Sequence, residues 1–105
     1  MAMDVTKTIT DDGTCVLAVS GRFDVRAARE AEAVFSEVGA NSNDVVLDMA
    51  ELEYIASAGL RLVKRLHKDL KGRGGSLVVA NTSSDVMEVL EMTGFAAMLS
   101  FVSSA

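Results

Sequence analysis

Two short uninterrupted apolar runs, "DVVLDM" at 44–49 and "SLVVA" at 76–80, bracket a segment of helical period. Between them Leu60, Val63, Leu66 and Leu70 mark one face of a helix running roughly from Ser57 to Lys71. Strand, helix and strand in that order form a βαβ unit, and such a crossover leaves its two strands parallel. Continuous apolar runs are also what inner strands show when they are covered on at least part of both faces. The unit commits the chain to an α/β sheet, and every other segment has to fit around it.

Upstream, "VTKTIT" at 5–10 is rich in β-branched residues and stops at "DDG", a turn signal, before "CVLAVS" at 15–20 resumes a strand pattern. These two predict a hairpin. After Gly21, "VRAAREAEAVFSEV" aligns Ala27, Ala28, Ala31, Val34, Phe35 and Val38 on one helical face, with Asp24 where an N-cap belongs. Downstream, "GRGG" at 72–75 ends the central helix and turns into the second strand. "SSDVMEVLEMTG" at 83–94 predicts a serine-capped helix with Val86, Val89 and Leu90 inward and Gly94 as its stop. The tail "MLSFV" adds an edge strand. With no proline, repeat or low-complexity stretch, the expectation is one α/β domain over residues 1–105. Its order is ββαβαβα with a small final strand, giving a mixed sheet of four to five strands with packed helices.

Composition narrows the chemistry. At 105 residues, half of them hydrophobic, the chain can bury a single core. The lone Cys15 and lone His67 exclude an internal disulfide and a Cys/His metal site, so neither metal nor cofactor is expected. Cys15, inside an apolar strand, reads as a small buried hydrophobe. No run approaches the roughly 18 apolar residues of a membrane span, and no leader-like run opens the sequence, so the expected setting is cytoplasmic, without membrane insertion. A net charge of −5 argues against nucleic-acid binding through phosphates. The distribution of that charge is uneven. Arg61, Lys64, Arg65, Lys68, Lys71 and Arg73 face only Asp69 in their segment, which carries +5 while the rest of the chain carries −10. Either this is a solvated helix face whose cations suit a helix C-terminus, or it steers an acidic partner.

Ser57, between a strand and a helix, sits where hydrolases place a nucleophile. That turn needs glycine two residues before the serine, and this chain has Ile55. The single histidine follows ten residues later on the same helix, about 15 Å of rise away, out of reach of the hydroxyl. His67 itself reads as a solvated helix residue. The loop "KGRGG" runs from helix to strand, the reverse of a P-loop, and reads as a turn. On spacing alone Ser57 reads as an N-cap, yet Leu60 stands where a capping box needs Glu or Gln. Ala56, Ala58 and Gly59 leave the serine unshielded, as a residue approached by another macromolecule requires.

Around these residues the chain resembles the STAS domains of the bacterial anti-sigma factor antagonist family. The resemblance lies in "GRFD" at 21–24, "VVLDMAELEYIASAGLRLV" at 45–63 and "KGRGGSLVVANTSSDVMEVLEMTG" at 71–94. The middle segment is similar to the family signature of an aspartate ending a strand, then Ile, an acidic or serine residue, Ser, any residue and Gly-Leu. It implies a non-catalytic protein that binds an anti-sigma factor with serine-kinase activity and so frees a sigma factor. Phosphorylation of Ser57 would end the binding, and a serine phosphatase would restore it. The implied contact residues are Asp24, Ala56, Ser57, Ala58, Gly59, Leu60, Arg61 and Lys64, with Ala56 standing where many relatives carry an acidic residue or serine. The resemblance extends to STAS domains that are not phosphorylated and serve as accessory subunits of lipid-transporting ABC systems or in signalling scaffolds.

Overall fold

The computed structural model describes residues 3–102. The order of elements is β1 (Asp4–Ile9), β2 (Cys15–Phe23), α1 (Val25–Asn41), β3 (Asp44–Ile55), α2 (Ser57–Lys71), β4 (Ser76–Ala80), α3 (Ser84–Met92), α4 (Phe95–Met98) and β5 (Ser100–Val102). They form one α/β domain whose mixed sheet has the spatial order β1-β2-β3-β4-β5. β1 and β2 form the expected antiparallel hairpin, and β2, β3, β4 and β5 are parallel neighbours. The hairpin turn holds itself: the Asp12 carboxylate accepts from the Thr10 hydroxyl and the Thr14 N–H, and Gly13 takes the positive φ of +88°.

A parallel sheet laid down in one direction by right-handed crossovers puts every helix on the same face. Burial follows that rule. Cys15, Leu17 and Val19 of β2, Val45, Leu47 and Met49 of β3, and Leu77 and Val79 of β4 join one core with Phe35, Val38, Leu66, Leu70, Val86 and Leu90 from the helices. Val16, Val46 and Val78, on the other face, are only partly buried and lie outside that core. Inner strands covered on at least part of both faces, as expected, fit this burial: the helices close one face and the other is half-buried.

Both central strands outrun their sequence pattern. β3 continues through "AELEYI" because two irregularities in its pairing with β2, between Ala18 and Ser20 and between Gly21 and Arg22, each absorb an extra β3 residue. The bulges return Leu52 and Ile55 to the core, although their spacing breaks strict alternation. α4 is a single turn, too short for a helical period to register, and it takes Met98 out of the expected edge strand. Gly94 ends α3 as expected, at φ +84°.

The end of the domain where β3 and β4 begin is tightly fastened. Arg73 donates from its guanidinium to the carbonyls of Ala40 and Ser42, supplying donors to the unpaired carbonyls at the C-terminal end of α1. Gly75 passes so close to Asn43 that an added Cβ would overlap the Asn43 carbonyl oxygen and lie 2.9 Å from its carbon. Across the sheet edge, the Lys7 ammonium meets the Glu37 carboxylate at 2.8 Å and ties β1 to α1. The Lys7 hydrogen bond, then that from Asn41, holds the Glu37 carboxyl below its ordinary range.

Two outcomes follow from these contacts. Gly75→Ala forces backbone against backbone, with no flexible side chain to yield, and should destabilise the fold by about 2 kcal/mol, a fall of roughly 10 °C in Tm. A melt within 2 °C of wild type would contradict the close approach. Because the Glu37 pKa is lower folded than unfolded, its contribution is present above the unfolded value and lost as pH falls through the folded one. Urea melts from pH 3 to 7 should show a flatter acid limb for Glu37→Gln than for wild type.

Candidate modification and partner-recognition site

The register of β2 on β3 decides what meets at the other end of the sheet. Phe23 pairs with Ile55, and the Ala56 N–H donates to the Phe23 carbonyl at 2.9 Å, so the two strands stop side by side. Each then turns straight into a helix. α1 and α2 run in the same direction, with Glu32 of α1 against Arg65 of α2 at 3.5 Å and Gly39 against Asp69 further on. Their N-termini, with Asp24 on one and Ser57 on the other, therefore abut.

The two helix starts are built differently. Asp24 caps α1 as expected, its Oδ1 accepting from the Ala27 N–H at 2.9 Å. At α2 the N-cap is Ala56, whose side chain can accept nothing. Ser57 is the first helical residue, not the cap, which corrects the reading from spacing. It is exposed, and its hydroxyl has no hydrogen-bond partner among the described residues. Leu60 N–H bonds the Ala56 carbonyl, so the backbone donors ahead of it, at Ser57, Ala58 and Gly59, precede the first intrahelical bond.

Gly59 and Leu60, expected among the contact residues, are buried. A Cβ on Gly59 would stand 2.9 Å from the Phe23 ring and 3.1 Å from Ile55, so glycine is what allows α2 to settle on the end of the sheet. Phe23 in turn packs against Phe35, ring centres 5.6 Å apart. Those two residues shape the site from beneath. What faces outward is Ser57, Arg61 and Lys64, with Ala56, Ala58 and Asp24 partly exposed. Beside them lie residues the sequence did not single out: Val25, 56% exposed, and Tyr54, 38% exposed under the Arg22 guanidinium at 4.4 Å.

The basic segment divides. Arg73 is spent on α1, and Arg65 pairs with Glu32. Arg61, Lys64, Lys68 and Lys71 have no carboxylate partner among the described residues. His67 departs from its expectation as a solvated residue: it is partly buried, and its Nδ1 is buried without a partner. The turn of the helix packs that edge of the ring against the protein. Cys15 is buried in the core, as expected. Among the described residues no helix is long and apolar enough to cross a membrane.

The model of the STAS domain matches residues 6–104. BtrV of Bordetella bronchiseptica, assigned as an anti-sigma factor antagonist, is 36% identical over 85 residues, covering 80% of this chain and 73% of its own. This chain belongs to the STAS domain, anti-sigma factor antagonist family. The fold agrees with solved STAS structures. An anti-sigma factor antagonist from Mycobacterium paratuberculosis superposes with a TM-score of 0.86 at 22% identity, over 95% of this chain and 85% of that one. The Bacillus cell fate determinant SpoIIAA, in its phosphorylated form, superposes with a TM-score of 0.74 at 18% identity, over 95% and 92%. The serine on which the sequence resemblance centres, Ser57, stands exposed at the start of α2.

The different caps predict different sensitivities. Asp24→Ala should cost about 1 kcal/mol of stability, whereas Ser57→Ala should change it by only a few tenths, because Ser57 caps nothing and alanine suits a first helical turn. Chemical denaturation of the two variants compares them directly. An equal loss at both positions would mean that the Ser57 hydroxyl does cap α2.

Proposed function

We propose that this chain is a non-catalytic anti-sigma factor antagonist switched at Ser57. Unmodified, it binds an anti-sigma factor that is also a serine kinase, so that a sigma factor is released. In the reverse step the γ-phosphoryl of ATP passes to Ser57 Oγ, the hydroxyl proton goes to a base on the kinase, and ADP leaves. Binding then ends until a serine phosphatase hydrolyses the ester.

The observation that carries this reading is the setting of Ser57: exposed, unbonded, flanked by alanines, and first in a helix that has no side-chain cap. A phosphate adds about −1.5 to −2 charges there. A helix N-terminus tolerates an anion, and the free backbone N–H groups of the first turn can donate to its oxygens. The fold therefore survives modification while the outward surface changes. A phosphate forced against a partner's apolar or acidic groups costs several kcal/mol, about a thousandfold in affinity. Catalysis by the chain itself has little to stand on, since His67 lies ten residues along α2 from Ser57 with its Nδ1 turned inward. Arg61 and Lys64, free of carboxylate partners, suit an acidic surface on the kinase.

Incubated with the cognate kinase and ATP, wild type should gain one phosphate at Ser57 and none at Ser83, whose side chain accepts from the Val86 N–H as the α3 cap. Ser57→Ala should bind the kinase persistently. Ser57→Asp should melt no lower than wild type yet bind weakly. Intact-mass spectrometry and calorimetry read both. Should Ser57→Asp and the phosphorylated protein both stay bound at wild-type affinity, the switch is not at this residue, and an unphosphorylated STAS subunit becomes the better description.

A further inference from the structure

Beside Ser57, the parallel helices α1 and α2 do not close completely. Short side chains at Ala28 and Ala58 leave a shallow groove of about 370 Å³ between them. Its apolar lining includes Leu62 and the exposed Val25, and Arg29 and Arg61 stand along it. Further along, the Arg65–Glu32 pair bridges the two helices and closes the channel.

The groove's charge runs against that of the chain. The protein carries a net −5, yet Arg29 and Arg61 have no carboxylate partner among the described residues. Two unpaired arginines over a small-residue apolar floor select a ligand with carboxylates flanking small or medium aliphatic groups. A basic segment meets like charge. A nucleic-acid strand meets an apolar floor on an acidic protein.

Arg61 also lies four residues after Ser57 in the same helix, so the two side chains share a face with Cβ atoms about 5–6 Å apart. A guanidinium takes a phosphate through two parallel hydrogen bonds, and the Arg61 side chain is long enough to make them. We propose that the α1–α2 groove receives an acidic amphipathic segment of the partner, and that a phosphoryl group on Ser57 closes it by drawing Arg61 to itself. The switch then has two components. One cation leaves the groove, and two negative charges arrive at its end. This rests on the reading that Ser57 is the modified residue, and it adds Arg61 as the group that transmits the modification.

The test uses the full chain with phosphoserine installed genetically at position 57, so that it does not depend on any kinase. Phosphorus NMR should place the second phosphate pKa about 0.3 units lower when Arg61 is present than in Arg61→Ala. Two synthetic helical peptides with the same leucine-alanine face, one flanked by glutamates and one by lysines, serve as binding probes. In nitrogen-15 spectra the glutamate peptide should shift the amides of Val25, Arg29, Ala58 and Leu62, and the lysine peptide should not. Arg61→Gln should weaken the glutamate peptide about fivefold, and phosphoserine should weaken it further. Equal phosphate pKa values with and without Arg61, shifts mapping to another face, or binding indifferent to phosphoserine would each overturn the proposal. Failure of a cognate kinase to modify wild-type Ser57 would instead remove the functional reading above, while these measurements still judge the groove and Arg61.

Discussion

The parallel register between β2 and β3 is the constraint from which the rest of the molecule follows. Because Phe23 pairs with Ile55 and the Ala56 N–H bonds the Phe23 carbonyl, two strands end level and two helices begin side by side. Had the pairing slipped by one residue, every β3 side chain would face the other way and Leu52 and Ile55 would leave the core. The bulges that break the alternation of β3 are what preserve this alignment to the last pair. Phe23 is the centre of it, fully buried, packed with its ring tilted against Phe35 and covered by Gly59.

From that alignment comes an unusual electrostatic arrangement. Two helices that start together place two positive dipole ends at one edge of the sheet. One is satisfied from within the chain by Asp24, and the other is left without a side-chain acceptor. The asymmetry would let the proposed phosphoryl group be added at α2 without disturbing packing, since Gly59 and Leu60 directly beneath it are already fixed by contacts that the outward face does not share. The same geometry leaves Arg61 one turn from the serine.

Much of this is written in the sequence at short range. The periods of α1 and α2, the Asp24 and Ser83 caps and the glycine stop of α3 are local features, set by residues within a few positions of one another. The capping error at Ser57 shows the limit: serine is a favoured cap, and only the tertiary bond from Ala56 to Phe23 fixes Ala56 in the cap position. Non-local pairings account for the other departures. The extension of β3 depends on β2, Arg73 is claimed by α1 carbonyls more than thirty residues upstream, and the inward turn of His67 depends on what packs against α2. Val25 and Arg29 gained meaning only when α1 proved parallel to α2, an inference available from the two crossovers together but from neither helix alone.

Arg73 and Gly75 fasten the loops at one end of α2, and Ser57 stands at the other, about 22 Å of helix away. The parts of the chain that hold it shut and the parts proposed to meet other proteins thus occupy separate addresses. If the proposed recognition surface is correct, substitutions at the serine end would change whom the domain recognises without loosening its closure, and a lineage of such proteins would diversify its partners while the clasp stays as it is. The same separation would suit repeated use under the proposed switch: a group added and removed at the serine pole would leave the clasp at the other pole untouched, so the domain would not have to refold between rounds.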